Sequence, residues 1–272
     1  MWCCIQNYGN TSTDAKIMKS SEFDSQMRSY ELANDEIIRP NMYVVCRIDG
    51  RNFSTLTRKV LKLAPYDKKL ADEMHETVHH LMNCGFPVAF AYTQSDEISL
   101  LLDKAKLLPF NGKIRKFNSI LAAEASACMS LRYGPFAKTT IAFDCRTIQL
   151  PTQESVIDYF RWRRADSEKN CMNMWCYHIL TKRLSLTPTQ AQRNLDRRRV
   201  QWKHDFLYSH GINFDAIPEW QKRGIGIYWV DYYKDAINQK TNQKVVALRR
   251  LLEKVILPKD SGEFDLLLRR FL

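Results

Sequence analysis

The stretch VAFAYTQSDEISLLL, residues 88–102, decides the fold. Two apolar runs, 88–92 and 98–102, flank the polar Thr93-Gln94-Ser95-Asp96-Glu97, so the stretch reads as a β-hairpin with acids at its tip. Upstream, YVVCRID (43–49) is rich in β-formers and is stopped by Gly50. Between these two, residues 67–84 begin with Asp67 as an N-cap and place Leu70, Met74, Val78 and Leu81 at helical spacing. Gly85-Phe86-Pro87 ends that helix. Downstream, Asn111-Gly112 opens a helix over about 113–131, with Ile114, Phe117, Leu121 and Cys128 facing inward. TTIAFDC (139–145) is a further strand. The order β-α-β-β-α-β predicts an α+β fold, a split ferredoxin-like unit whose antiparallel sheet carries its helices on one face.

Outside this unit, residues 1–20 are polar and aperiodic and read as a disordered segment, and 21–34 as a short helix. Residues 21–150 form the expected catalytic core. Residues 151–240 form a mainly helical part, with helices over 154–165, 170–184 and 187–196 and a late strand, GIGIYWVDYY (224–233). The third helix starts on Thr187-Pro188-Thr189-Gln190, a capping box with proline at the first helical position. Residues 241–272 read as a basic C-terminal segment ending in LLLRRFL.

With 272 residues and 45% hydrophobic content, the chain suffices for one large domain or a domain plus a lobe. It has no apolar run of membrane-spanning length and no signal-peptide pattern, which predicts an intracellular protein without a membrane partner, cytoplasmic by default with an organelle left open. The eight cysteines include no C-x-x-C pair and mostly sit in apolar runs, so they read as free thiols. A net charge of +11 points to a polyanion. Basic residues cluster at Arg161, Arg163 and Arg164, at Arg193, Arg197, Arg198, Arg199 and Lys203, and at Arg249, Arg250, Arg269 and Arg270, with Phe160, Trp162 and Trp202 between them. Solvated helix faces and nucleic-acid contacts both fit such clusters.

Asp49 ends the first strand and Asp96-Glu97 sit at the hairpin tip, so the split unit brings them to one edge of its sheet. Either motif alone serves as an ordinary turn. Together they offer hard oxygen ligands: Asp49, the Gly50 carbonyl and Asp96, with Glu97 beside them, suit two Mg²⁺ ions about 3.5–4 Å apart. One ion would activate a nucleophilic oxygen and the other would neutralise phosphate charge. Lys113, Arg115 and Lys116 start the second helix, where cations oppose the macrodipole unless an anion is bound, and so are candidates for the triphosphate. Arg51, Asn52 and Phe53, next in the first motif, join them as nucleotide-binding candidates, as does Ser95, which serves equally well as a turn cap. His75 and His79 share a helix face but have no third ligand in view, and read as a solvent-facing pair.

At these residues the chain resembles the tRNA-histidine guanylyltransferase superfamily, and within it the guanylyltransferase-like 3′-to-5′ polymerases. The matching stretches run from about residue 42 to 229: RIDGRNF (47–53), APYD (64–67), YTQSDEISLL (92–101), PFNGKIRKFNSILAAEASA (109–127), AFDCR (142–146), QLPT (149–152), DYFRWR (158–163), HGINF (210–214) and WQKRG (220–224). The resemblance implies a polymerase-like palm that adds nucleotides to tRNA 5′ ends. The 5′ phosphate is activated with ATP or GTP, and the 3′-hydroxyl of an incoming nucleotide then attacks it. It implies Asp49, Gly50 and Asp96 as ligands of two Mg²⁺, Glu97 as a neighbouring essential acid, Ser95, Lys113 and Lys116 at a triphosphate, and a homotetramer sharing tRNA between subunits. Arg161, Arg163, Arg197, Arg198, Arg199 and Lys203 are then the expected tRNA contacts. The chain departs from the family at Glu168-Lys169-Asn170-Cys171-Met172-Asn173-Met174, where the eukaryotic enzymes read His-Ile-Asn-Asn-Leu-Tyr-Asn, at Lys203-His204-Asp205 for Lys-Asn-Glu, and at Ala64 for a lysine. These departures favour templated repair of truncated tRNA 5′ ends over dedicated addition of one G to histidine tRNA. A nucleotide cyclase and a non-catalytic RNA-binding module are the competing expectations.

Overall fold

The computed structural model describes residues 20–33, 35–237, 239–240 and 242–272; apart from Ser20, the expected disordered segment lies outside them. The chain divides into two compact units, 1–36 and 37–272. The first contains α1 (Ser20–Leu32), an exposed polar helix with an Asp24–Arg28 pair at 2.9 Å.

The second unit runs β1 (Tyr43–Gly50), α2 (Phe53–Thr55) with a wide turn over Leu56–Val60, α3 (Lys68–Leu81), β2 (Val88–Gln94), β3 (Glu97–Leu102), α4 (Ile114–Ala137) and β4 (Phe143–Leu150). It continues with α5 (Gln153–His178), α6 (Pro188–Leu195), α7 (Val200–Ser209), α8 (Glu219–Arg223), β5 (Ile225–Ile237), β6 (Lys244–Ile256) and α9 (Ser261–Arg269). The six strands form one sheet in the order β4-β1-β3-β2-β5-β6, with every neighbouring pair antiparallel.

Both faces of the sheet are covered, which corrects the expectation of helices on one face only. Val44, Cys46 and Ile48 of β1 pack with Met74 and Val78 of α3 and Phe117, Leu121 and Met129 of α4. Tyr43 and Val45, pointing the other way, pack with Phe160 of α5 and Phe264 and Leu268 of α9. The cause is visible in β1 and β3: runs such as YVVC and ISLLL are apolar on both alternating sides, the pattern of a strand buried on two faces. A third cluster joins the distal half of α5 to α6 and α7 through Cys176, Ile179, Leu195 and Leu207.

Asp67 caps α3 by accepting from the Leu70 N–H at 2.9 Å. Thr187 and Gln190 cap α6 reciprocally. Other boundaries differ from expectation. The last strand of the split unit begins at Phe143 and not at 139, because the Ile141 N–H and carbonyl are both taken by the Ser130 hydroxyl and the Ala142 carbonyl by the Arg51 N–H. The helices expected over 154–165 and 170–184 are one, α5, since nothing in Asp166-Ser167-Glu168-Lys169 stops a helix. Cys128 is half-buried, and Ala125, Met129 and Tyr133 complete the inner face of α4 instead. The segment 241–272 supplies the edge strand β6 and the core helix α9.

Candidate active site

The end of β1 and the tip of the β2–β3 hairpin meet. Asp49 lies opposite Glu97 on β3 and opposite Asp144 on β4. The Gly50 N–H donates to the Asp96 carbonyl at 3.1 Å, tying the two motifs together. The hairpin turns in two residues, Ser95 and Asp96, with Ser95 in the left-handed region at φ 51° and its hydroxyl donating to Asp96 Oδ1 at 2.9 Å. Gly50 has no room for a side chain: a Cβ there would lie 2.3 Å from the Phe53 ring. That ring is buried and packs on Phe143 at 5.2 Å, anchoring the β1 end to the core.

The acids behave differently. Burial pushes the Asp49 carboxyl up, Asp144 adds to this, and Arg47 and Arg146 oppose it. Burial also drives Asp96 up, to about 6, against the Ser95 hydrogen bond and with Asp49 adding repulsion. The two carboxylates and the Gly50 carbonyl are hard oxygen donors of the type that a divalent cation takes. Glu97 is engaged elsewhere. Its Oε1 accepts from Arg163 Nε at 2.8 Å, and Arg163 Nη2 reaches Asp166 at 2.6 Å. Burial raises the Glu97 carboxyl and the Arg163 guanidinium pulls it back. Among the described residues no cluster of three His, Cys, Asp or Glu side chains has metal-binding geometry.

Two cavities meet at Gln94-Ser95-Asp96. One, of about 640 Å³, is lined by Asp49, Glu97, Lys169, Asn170, Arg197 and Lys203. The other, of about 580 Å³, is lined by Phe53, Lys59, Ala64, Tyr66, His75 and Trp220. Arg58, Tyr66, Met174 and Tyr177 border both. Arg58, stacked over the Tyr177 ring at 4.3 Å, was not singled out from the sequence. It lies in a short irregular turn with no periodicity to mark it; a cation nine residues after Asp49 is the only signal.

Of the expected nucleotide-binding residues, Ser95 and Phe53 border the cavities. Arg51 and Asn52 are exposed and line neither; the Arg51 N–H bonds to Ala142 and the Asn52 carbonyl accepts from Thr55 and Leu56. Lys113, Arg115 and Lys116 lie at the far end of the sheet. Helix α4 runs antiparallel to β4, with Asn118 bonded to Thr147, Ser126 to Phe143 and Ser130 to Ile141, so its first turn sits by the Tyr43–Leu150 end. Six residue steps along β1, from Tyr43 to Asp49, span roughly 20 Å. Within one chain these three residues do not reach a triphosphate held at Asp49 and Asp96.

Among the expected tRNA contacts, Arg197 and Lys203 face the first cavity, although Lys203 is largely buried. Arg198 and Arg199 are exposed, Arg198 lying over Trp202 at 4.6 Å. Arg161 is paired with Asp158 at 2.9 Å and also with Asp265. Arg163 also borders the first cavity, but it is buried and ion-paired with Glu97. His75 and His79 are half-buried and not solvent-facing; burial lowers both, His75 to about 4.

Two family profiles match in succession, tRNAHis guanylyltransferase over residues 24–151 and the C-terminal domain of the same family over 154–256. The chain is 28% identical over 218 residues to a probable tRNA(His) guanylyltransferase from Bos taurus, covering 78% of this chain and 72% of that protein. It is 27% identical over 231 residues to a tRNA(His) guanylyltransferase from Schizosaccharomyces pombe, covering 84% and 85%. A bacterial tRNA(His) guanylyltransferase-like protein solved in complex with ATP superposes with a TM-score of 0.69 at 27% identity, covering 92% of this chain and 99% of that one. Its counterpart in complex with GTP gives 0.64 at 28% identity, covering 90% and 98%. With both profiles laid end to end and the acidic edge in place, the chain belongs to the tRNA-histidine guanylyltransferase superfamily of nucleotidyltransferases.

Proposed function

We propose that this chain adds nucleotides to the 5′ end of tRNA, with the sheet acting as a polymerase-like palm of the split ferredoxin-like kind. The observation that carries the proposal is the Gly50–Asp96 hydrogen bond, which holds two mutually repelling carboxylates at the junction of two cavities. The names of the relatives favour guanylate addition to histidine tRNA over the templated repair that the sequence departures suggested. Repair stays as the second reading because Lys169, Asn170 and Asn173, from the divergent stretch, line the first cavity.

Asp49, Asp96 and the Gly50 carbonyl would hold Mg²⁺. When bound, the metal lowers the pKa of a coordinated hydroxyl and neutralises phosphate charge. The remaining parts belong to the chain. Ser95 holds Asp96 by its hydroxyl. Arg163 ties Glu97 back, which keeps it from adding a third charge to the pair. Arg58, Lys59 and Lys182 around the second cavity offer positive charge to ATP or GTP phosphates, and Lys169, Arg197 and Lys203 do so for the RNA end in the first. In the reaction, an oxygen of the tRNA 5′ phosphate attacks the α-phosphorus of ATP and expels pyrophosphate. The 3′-hydroxyl of GTP then attacks the activated 5′ phosphorus, loses its proton, and expels AMP. A homotetramer, implied by the resemblance, is part of the same proposal.

The test is nucleotide addition to full-length and 5′-truncated tRNAs that differ in the base opposite the new residue. Addition of G to histidine tRNA whatever that base supports guanylyl transfer, and addition that follows the base supports repair. Asp49→Ala and Asp96→Ala should each abolish addition while tRNA binding persists. Retained activity in either, or a cyclic nucleotide formed without RNA, would overturn the reading.

A further inference from the structure

Strand β2 ends on Gln94, which lies opposite Glu97 and two residues before Asp96. Its side chain is 7% exposed, and the amide oxygen Oε1 is buried with no hydrogen-bond partner among the described residues. Buried oxygens are nearly always paired, so one left over at a cavity wall points to a donor on a ligand. Gln94 borders both cavities. Tyr66 also borders both and has a buried unpaired atom, but its hydroxyl donates as well as accepts and lies beside the Cys171 thiol. The Gln94 oxygen can only accept. Close backbone packing fixes its place. Gly224, in the left-handed region at φ 71°, passes so near that a Cβ on it would lie 2.6 Å from the Thr93 carbonyl oxygen and 3.0 Å from the Gln94 Cβ.

The donor follows from the reaction proposed above, on which this inference rests. Ionised phosphate oxygens accept hydrogen bonds and offer none, so neither the triphosphate nor the tRNA phosphate satisfies Oε1. The attacking 3′-hydroxyl must reach the metal site at Asp49 and Asp96. The ribose that carries it, and not the base, therefore stands beside Gln94. That 3′-hydroxyl gives up its proton in the reaction, whereas the neighbouring 2′-hydroxyl remains a donor throughout.

We propose that Gln94 Oε1 accepts a hydrogen bond from the 2′-hydroxyl of the attacking nucleotide, so that Gln94 aligns the ribose and selects ribonucleotides over 2′-deoxyribonucleotides. Addition to tRNA with GTP and with 2′-deoxy-GTP tests it. The unaltered protein should favour GTP by about tenfold to a hundredfold in kcat/KM, the usual effect of leaving one buried acceptor unpaired. Gln94→Met keeps the length and removes the acceptor, and should bring that ratio close to one, whereas Gln94→Glu keeps an acceptor and should hold the preference. A second measurement needs no variant. Of two competitors that cannot attack, 3′-deoxy-GTP should bind about tenfold or more tightly than 2′,3′-dideoxy-GTP, because only the first keeps the 2′-hydroxyl. A protein that adds both nucleotides equally well, a Gln94→Met variant that slows both alike, or two competitors of equal strength would each overturn the inference while leaving nucleotide addition in place. No addition with either nucleotide would overturn the proposed function, and this inference with it.

Discussion

Replacing Arg163 with methionine tests whether this arginine is an internal counter-charge or a contact for RNA. Its side chain is 5% exposed, that of Glu97 10%, and they meet at 2.8 Å. Methionine keeps much of the volume and removes the charge. Glu97 is then left buried and unpaired, a defect that typically costs about 3–5 kcal/mol. The cost has a ceiling, because Glu97 can take up a proton. Keeping it neutral at pH 7 in the folded state, against an ordinary pKa of 4.5, costs about 3.4 kcal/mol. The expected loss is therefore about 3 kcal/mol at pH 7, and it carries its own pH signature. In the variant Glu97 has a folded pKa raised above its unfolded value, so the folded state holds the extra proton. That destabilisation grows as pH rises from about 4.5 and shrinks again on acidification, to about 1 kcal/mol at pH 5. Urea unfolding at the two pH values measures both numbers, and Arg163→Met with Glu97→Gln should recover most of the pH 7 loss. A loss below about 1 kcal/mol at pH 7, with no pH dependence, would refute the argument and return Arg163 to the RNA-binding surface.

Gly50→Ala should destabilise the fold by about 1–3 kcal/mol, measured by urea unfolding, because its Cβ would drive the Phe53 ring out of a packed position. His75, lowered to about 4 by burial, takes up its proton more readily when unfolded; stability should therefore rise with pH between about 4 and 6.5, and His75→Gln should remove that part of the slope in a pH series of melts. Changing Arg197, Arg198 and Arg199 together to alanine should weaken tRNA binding and lower its salt slope by about 2, read from binding isotherms over a salt series.

The βαββαβ order was legible because its cues are local. Gly50 closes β1, Gly85-Phe86-Pro87 separates α3 from β2, and Asp67 announces α3. The acidic edge was legible because two short motifs end neighbouring strands. What the sequence hid depended on partners far along the chain. KVVALRRLLEKVI has the composition of a helix as much as a strand, and it becomes β6 only because β5 offers a thirteen-residue edge. Arg163 sits in an arginine-rich, aromatic-flanked run that resembles an RNA-binding face; its partner Glu97 lies 66 residues upstream. The basic first turn of α4 looked suited to a triphosphate, and only the antiparallel course of that helix along β4 shows that it lies at the end of the sheet opposite Asp49.

The number of free charges at the acidic edge follows from that buried pair. Three carboxylates, Asp49, Asp96 and Glu97, converge on one strand end, and Asp144 adds a fourth beside them. Burial chiefly drives Asp96 up, to about 6, with Asp49 adding repulsion, and Asp144 adds to the burial that raises Asp49. Were Glu97 also turned inward, the edge would neutralise part of itself at physiological pH and lose the anionic ligands that a hard cation needs. Arg163 prevents this by taking Glu97 into a buried pair, while Arg146 stands 3.6 Å from Asp144 on the solvent side. Asp49 and Asp96 thus keep carboxylates without a cationic partner of that kind, and they are the two that the proposed metal would use. The Glu97–Arg163 pair therefore fixes the charge of one acid at the rim of the first cavity.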